Sequence, residues 1–162
     1  DGSLAPVTLA AWGGTLIAVS SLFNGAGRFL WGSVSDRIGR TWTFRIMLAS
    51  EIAVFVGLMS TRNPWVFAVL VCWVLLCYGG GFGTMPAYIG DVLGPKLMAA
   101  VYGAILTAWS AAGVVGPQLV AVLKDRVPER AATLSFAVGA GFLAMGLLLS
   151  LLLSDKPAAK KR

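Results

Sequence analysis

Apolar residues fall in five long blocks separated by short polar gaps: residues 10–35, 43–61, 65–88, 97–123 and 131–153. Each block is close to the roughly 20 residues that a helix needs to cross the hydrocarbon core of a bilayer. The gaps carry turn chemistry. Arg62-Asn63-Pro64 places a proline at the first position of the next helix, where its missing N–H is not needed. Gly90 to Lys96 reads as a short loop and Lys124 to Arg130 as a charged one. Residues 1–9, polar with Pro6, read as an external loop, and residues 154–162 as a basic cytoplasmic tail. The pattern predicts an all-α integral membrane protein with five transmembrane helices across 10–153, its principal partner being the lipid bilayer.

Composition strengthens that reading. Of 162 residues, 57% are apolar and 12% charged, more apolar surface than a soluble domain of this size needs. The net charge of +6 would suit a nucleic-acid partner if the basic residues shared one face. They sit instead in the gaps between apolar blocks, which is the signature of membrane topology, so no nucleic acid is expected. Arg37, Arg40, Arg45, Lys96 and the tail residues Lys156, Lys160, Lys161 and Arg162 outweigh Arg62, Lys124, Arg126 and Arg130 on the other side. The C-terminus is therefore expected in the cytoplasm and Asp1 outside. With no histidine, a histidine switch or zinc site is excluded. Cys72 and Cys77, five apart on one helix, point to different faces and read as small apolar thiols. No nucleophile–base pair or metal cluster is visible, so neither an enzyme nor a cofactor is expected. The chain opens at Asp1 without a signal-peptide pattern and reads as part of something longer.

The polar positions are densest from Asn24 to Arg40. Gly32-Ser33-Val34-Ser35-Asp36-Arg37-Ile38-Gly39-Arg40 resembles the G-x-x-x-D-R-x-G-R loop of the major facilitator superfamily of secondary transporters. Glycines permit a sharp turn there, and an aspartate can face the N-terminus of a neighbouring helix. The plainer reading is an ordinary positively charged cytoplasmic loop. The resemblance implies a partial major facilitator bundle, drawn from a fold of two six-helix halves built from inverted repeats. In that family the signature stands between helices 2 and 3 and again between helices 8 and 9. Five helices followed by a basic tail fit helices 8 to 12, with the N-terminal half and helix 7 as the missing partner. The alternative is the N-terminal copy, with Ser154–Arg162 opening a central loop. The resemblance makes Gly32, Asp36, Arg37, Gly39 and Arg40, together with Asp91, a conformational-switch motif that should gather at one membrane face.

Arg28 stands inside an apolar block, where a charge costs a few kcal/mol or more and marks a functional candidate. Helical spacing puts Ser21, Asn24 and Arg28 on one face. A guanidinium grips a carboxylate through two parallel hydrogen bonds and never loses its charge, so it suits an anchor and not a proton carrier. The alternative is an arginine snorkelling to the cytoplasmic interface. Asn24-Gly25-Ala26-Gly27-Arg28 followed by the Gly32–Arg40 signature resembles the oxalate/formate antiporter family and, more loosely, the monocarboxylate transporters. The likeness continues at Tyr102 to Trp109 and at Gly113-x-x-Gly116-Pro117. It implies that Arg28 binds a substrate carboxylate in a carrier of the bacterial inner (plasma) membrane. There are two departures. The oxalate carriers place a lysine after a Thr-Ala pair in helix 11, and here that position is Trp109, which points from dicarboxylates to monocarboxylates. The proton-coupled animal carriers have an aspartate one turn before the arginine, and here that position is Asn24, which takes up no proton.

Tyr102, Leu106, Trp109, Gly113 and Gly116 form one helical stripe, and the aromatic members suit the wall of a small-acid cavity, with Tyr78 as another wall candidate. The glycine run containing Gly80, Gly81 and Gly83, then Pro86, is expected to bend the third helix, and Gly116 and Pro117 the fourth, or else to allow close packing. Glu51 reads as structural, with no coupling duty. The expectation is a secondary active transporter moving a small organic anion, a monocarboxylate, by alternating access. The alternatives are an efflux carrier for hydrophobic compounds, which the Gly-Pro pair encourages, and a membrane interaction module without transport.

Overall fold

The computed structural model describes residues 6–156, with side chains from residue 10 onward; the tail residues Lys160, Lys161 and Arg162 lie outside the described residues. The chain is helical almost throughout. α1 spans Pro6–Ile38, α2 Arg40–Ser60, α3 Pro64–Leu93 and α4 Pro95–Arg126; a 3-10 turn at Pro128–Arg130 leads into α5, Ala131–Ser150.

Single residues set the boundaries. Gly39 separates α1 from α2 with φ +92°, and Gly94 separates α3 from α4 with φ +83°. Their ψ values of 151° and 161° place both in a region essentially reserved for glycine, so a side chain at either would strain the reversal. At the opposite end Pro64 opens α3, and the Asn63 side chain accepts hydrogen bonds from the N–H groups of Trp65 (2.9 Å) and Val66 (3.4 Å). That is the cap the first turn of a helix requires.

These reversals are tighter than the sequence suggests. The charged stretch Gly32–Arg40 is not a loop: Gly32 to Ile38 complete α1, and Arg40 begins α2. The expected loop Gly90–Lys96 shrinks to Gly94, and Pro6 to Leu9, expected as loop, are the first residues of α1. A helix gains a backbone hydrogen bond for each residue it keeps, so it runs on until a glycine can turn the chain. α5 stops at Ser150 and finishes in a tight turn in which the N–H groups of Leu151, Leu152 and Leu153 donate three residues back.

Four stretches, α2, α3, α4 and the segment Pro128–Ser150, are long and apolar enough to cross a membrane. α1 has the length, 33 residues, but not the unbroken apolar composition, because Ser20, Ser21, Asn24, Arg28 and its glycines interrupt it. Such a helix needs protein or cavity water beside its polar face instead of lipid.

Packing pairs α1 with α3 and α2 with α5; α2 and α4 flank α3, and α4 also meets α5. Small residues bring α1 and α3 together. A Cβ on Gly27 would strike the backbone of Leu76, one on Gly79 the backbone of Asn24, and one on Gly80 the ring of Trp31. On Gly83 it would lie 2.9 Å from the carbonyl oxygen of Arg28. This is the close approach by which membrane helices associate without a hydrophobic driving force. In the second pair, Phe55 meets Phe136 edge-on at 5.9 Å and covers Gly139. Trp31, Met47, Leu76 and Cys77 form the buried centre, with Val34 and Phe44 against it. α4 buries none of its described residues, and Gly113 and Gly116 have open space beside them.

Candidate functional site

At one end of the bundle Arg40 joins three helices. Its guanidinium lies 2.6 Å from Asp36 at the end of α1 and 3.1 Å from Asp91 at the end of α3, and it donates to the hydroxyl of the buried Ser35. Arg40 is 18% exposed, and the two aspartates 64% and 58%. The structure thus brings Asp36, Arg40 and Asp91 together. Arg37 points outward in the last turn of α1, where a cation complements the helix dipole.

Sequence reasoning missed two further members of this cluster. Asp155, just beyond α5, accepts hydrogen bonds from the Thr41 N–H (2.9 Å) and hydroxyl (2.6 Å), so it caps the start of α2. Arg45 of α2 donates to the carbonyl oxygens of Ser150 (3.1 Å) and Leu153 (3.4 Å) and caps the end of α5. The segment after α5 supplies the charge at the start of α2, and α2 supplies the one at the end of α5. Tyr88 ties the same segment to α3 by donating to the Ser154 carbonyl at 3.3 Å. The one visible hint was an acidic residue standing alone in a basic tail; its partner, 114 positions away, could not be read.

Midway along α1 lies the polar face. The Arg28 backbone is pressed against Gly83, while its side chain is exposed. Among the described residues both ion pairs belong to Arg40, so the Arg28 charge is free of a carboxylate. Asn24 is half-buried, and its side-chain oxygen, turned toward Gly79, is buried without a hydrogen-bond partner. Ser21 spends its hydroxyl on the Ile17 carbonyl of its own helix at 2.8 Å.

The aromatic candidates gather elsewhere. Trp109 donates through Nε1 to the Tyr78 hydroxyl at 2.7 Å, and Phe82 touches both rings, with centroids 5.1 Å from Tyr78 and 5.7 Å from Trp109. With Tyr102 and Glu51 they line an open cavity of about 450 Å³ between α2, α3, α4 and α5. No residue of α1 lines it. The six binding candidates therefore divide into Ser21, Asn24 and Arg28 on one side, and Tyr78, Tyr102 and Trp109 on the other. Phe82 is a cavity residue that the sequence did not single out, and Glu51, read from the sequence as structural, lines the same cavity. Of the expected bending residues, Gly81 lines the cavity, Gly80 and Gly83 face α1, and α3 remains helical through Pro86. Pro117 likewise lies inside α4, next to Gly116. Among the described residues no group of three His, Cys, Asp or Glu side chains could hold a metal ion.

Comparison with known proteins gives the frame for these features. The model of the Major Facilitator Superfamily matches residues 5–117. An oxalate:formate antiporter from Oxalobacter formigenes is 28% identical over 134 residues, 81% of this chain and 32% of that protein. Apicoplast pyruvate carrier 1 of Toxoplasma gondii is 28% identical over 90 residues, 54% of this chain and 16% of that one. A Na(+), Li(+), K(+)/H(+) antiporter from Planococcus maritimus is 27% identical over 118 residues, 68% and 27% of the two chains. The chain spans a third or less of the length of these curated relatives. No solved structure matches.

Proposed function

Because the chain belongs to the Major Facilitator Superfamily, we propose that it is the C-terminal part, helices 8 to 12, of a secondary carrier that moves a small organic monocarboxylate by alternating access. The observation that carries this reading is Arg28. Its backbone is locked against Gly83, its guanidinium is exposed, and no carboxylate of the described residues neutralises it. A permanent charge at membrane depth is too costly to keep without a use, and a guanidinium fits a carboxylate through two parallel hydrogen bonds. Relatives named for oxalate, formate and pyruvate support a carboxylate as the ligand.

Trp109 bears on the class of acid. It stands where the resemblance to the oxalate carriers puts a lysine, so a second carboxylate would meet an indole and not a cation. Asn24, beside Arg28, cannot ionise and contributes polarity without charge. An N-terminal half and helix 7 would stand opposite α1, whose polar face is the surface such a partner would have to cover. The cluster around Arg40 would then act as the switch between access states, with the C-terminus in the cytoplasm and the carrier in the bacterial inner membrane.

The test is transport in proteoliposomes with the full-length carrier. Arg28→Ala removes one member of a desolvated charge pair, worth roughly 2–5 kcal/mol, so carboxylate affinity should fall about 30-fold or more. Arg28→Lys keeps the charge but loses the two-pronged grip, and a loss of about tenfold is expected. An alanine variant that still transports at the wild-type rate would return Arg28 to the role of a snorkelling residue.

A further inference from the structure

We propose that the open cavity between α2, α3, α4 and α5 is a second binding site, for an organic cation, with Glu51 as its counter-charge and Tyr78, Phe82, Tyr102 and Trp109 as its walls. Its volume of about 450 Å³ falls within the roughly 300–1,000 Å³ of small-molecule sites. No residue of α1 lines it, so it is distinct from the Arg28 face, and Trp109 is the one residue that the two readings share.

The argument begins with a charge that lacks a partner. Glu51 lies near the middle of α2, a helix apolar enough to cross a membrane. Carboxylates at that depth are rare and are kept where they pair or line a cavity. Glu51 lines the cavity, and among the described residues it forms no ion pair. The surrounding helices have no cation to give it. α3 and α5 contain no lysine or arginine, and those of α4, Lys96, Lys124 and Arg126, lie at its two ends. On α2 itself Arg40 is held by Asp36 and Asp91, and Arg45 by the end of α5. Within α2 to α5 no lysine or arginine is left to pair with Glu51, and a ligand cation would fill that place.

The walls indicate which kind of cation. Aromatic faces carry negative potential and attract ammonium groups. Three of the rings are fixed in advance by the Trp109–Tyr78 hydrogen bond and by Phe82 set edge-on to Trp109 at 88°. Such a wall loses little freedom on binding. A small inorganic cation would need a shell of oxygen ligands, which aromatic rings do not supply. A quaternary ammonium carries no hydrogen-bond donors and needs only a counter-charge and π faces, and both are present here.

The experiment is equilibrium binding of benzyltrimethylammonium to the full-length carrier in nanodiscs, read by calorimetry. The wild type should bind it. Glu51→Gln, which keeps the shape and removes the charge, should weaken binding about tenfold or more. Phe82→Leu, which keeps apolar bulk and removes a ring, should weaken it about threefold or more, whereas Glu51→Asp should retain most of the affinity. Melting temperatures close to wild type would show that each variant is folded. A wild type that does not bind the probe, or an unchanged affinity in either Glu51→Gln or Phe82→Leu, overturns the proposal.

Discussion

Trp109 illustrates how one side chain can have two sides of consequence. Its indole N–H is tied to Tyr78, its ring rests on Phe82, and it is still 51% exposed on an α4 that buries nothing. If the exposed edge selects the substrate, Trp109→Lys should raise dicarboxylate uptake relative to monocarboxylate by about tenfold, since a second cation in a desolvated cavity is worth more than in water. Counterflow with the full-length carrier checks this. An unchanged substrate ranking would mean that a lysine there turns inward to Glu51 and that position 109 takes no part in selection. The chemistry of single residues was legible in the sequence: an arginine in an apolar helix, an indole where a lysine stands in the oxalate carriers. Their grouping was not. Helical spacing says which residues share a face, but not which neighbour covers it, so Tyr78 and Trp109 could not be separated from Arg28 until α3 and α4 were placed.

Helices explain the glycines better than residues do. The run Gly79 to Gly83 suggested a bend, yet α3 is helical through it, and three of these glycines admit α1. Composition revealed small residues, but not the direction each faces. Two positions in α1 separate the explanations. A Cβ on Gly27 meets the Leu76 backbone, whereas one on Gly25 has nothing within 4 Å. Gly27→Ala should therefore cost about 1–3 kcal/mol through overpacking, with a melting temperature several degrees lower. Gly25→Ala should be neutral or slightly stabilising, because alanine favours a helix over glycine by about 1 kcal/mol. Equal melting temperatures for the two variants would show that α1 and α3 do not approach as closely as described. The caps follow the same logic: the helix blocks were readable from hydropathy, but the exchange of Asp155 and Arg45 between α2 and α5 joins residues over a hundred positions apart.

At the scale of the molecule, the bundle is held together at one end by charge and along its length by small-residue contacts, and the charged end is the part we propose as the switch. Arg40 is shared by Asp36 and Asp91, and the segment after α5 closes over the same point through Asp155 and Tyr88. A set of partners around a single guanidinium can be exchanged piecemeal, which a packed glycine interface cannot. Asp36→Asn leaves Arg40 with Asp91 alone. The lost pair is exposed on its Asp36 side and worth about 1 kcal/mol, enough to move a two-state population by about fivefold but not to unfold the protein. Cysteine accessibility labelling from each side of the membrane, in the full-length carrier, should show that shift. Asp91→Asn should move the population in the same direction, and the double variant should give less than the sum of the two, because both act through Arg40. Labelling that does not change in any of the three would remove the cluster from the switch and leave it as a fastening between α1, α2 and α3.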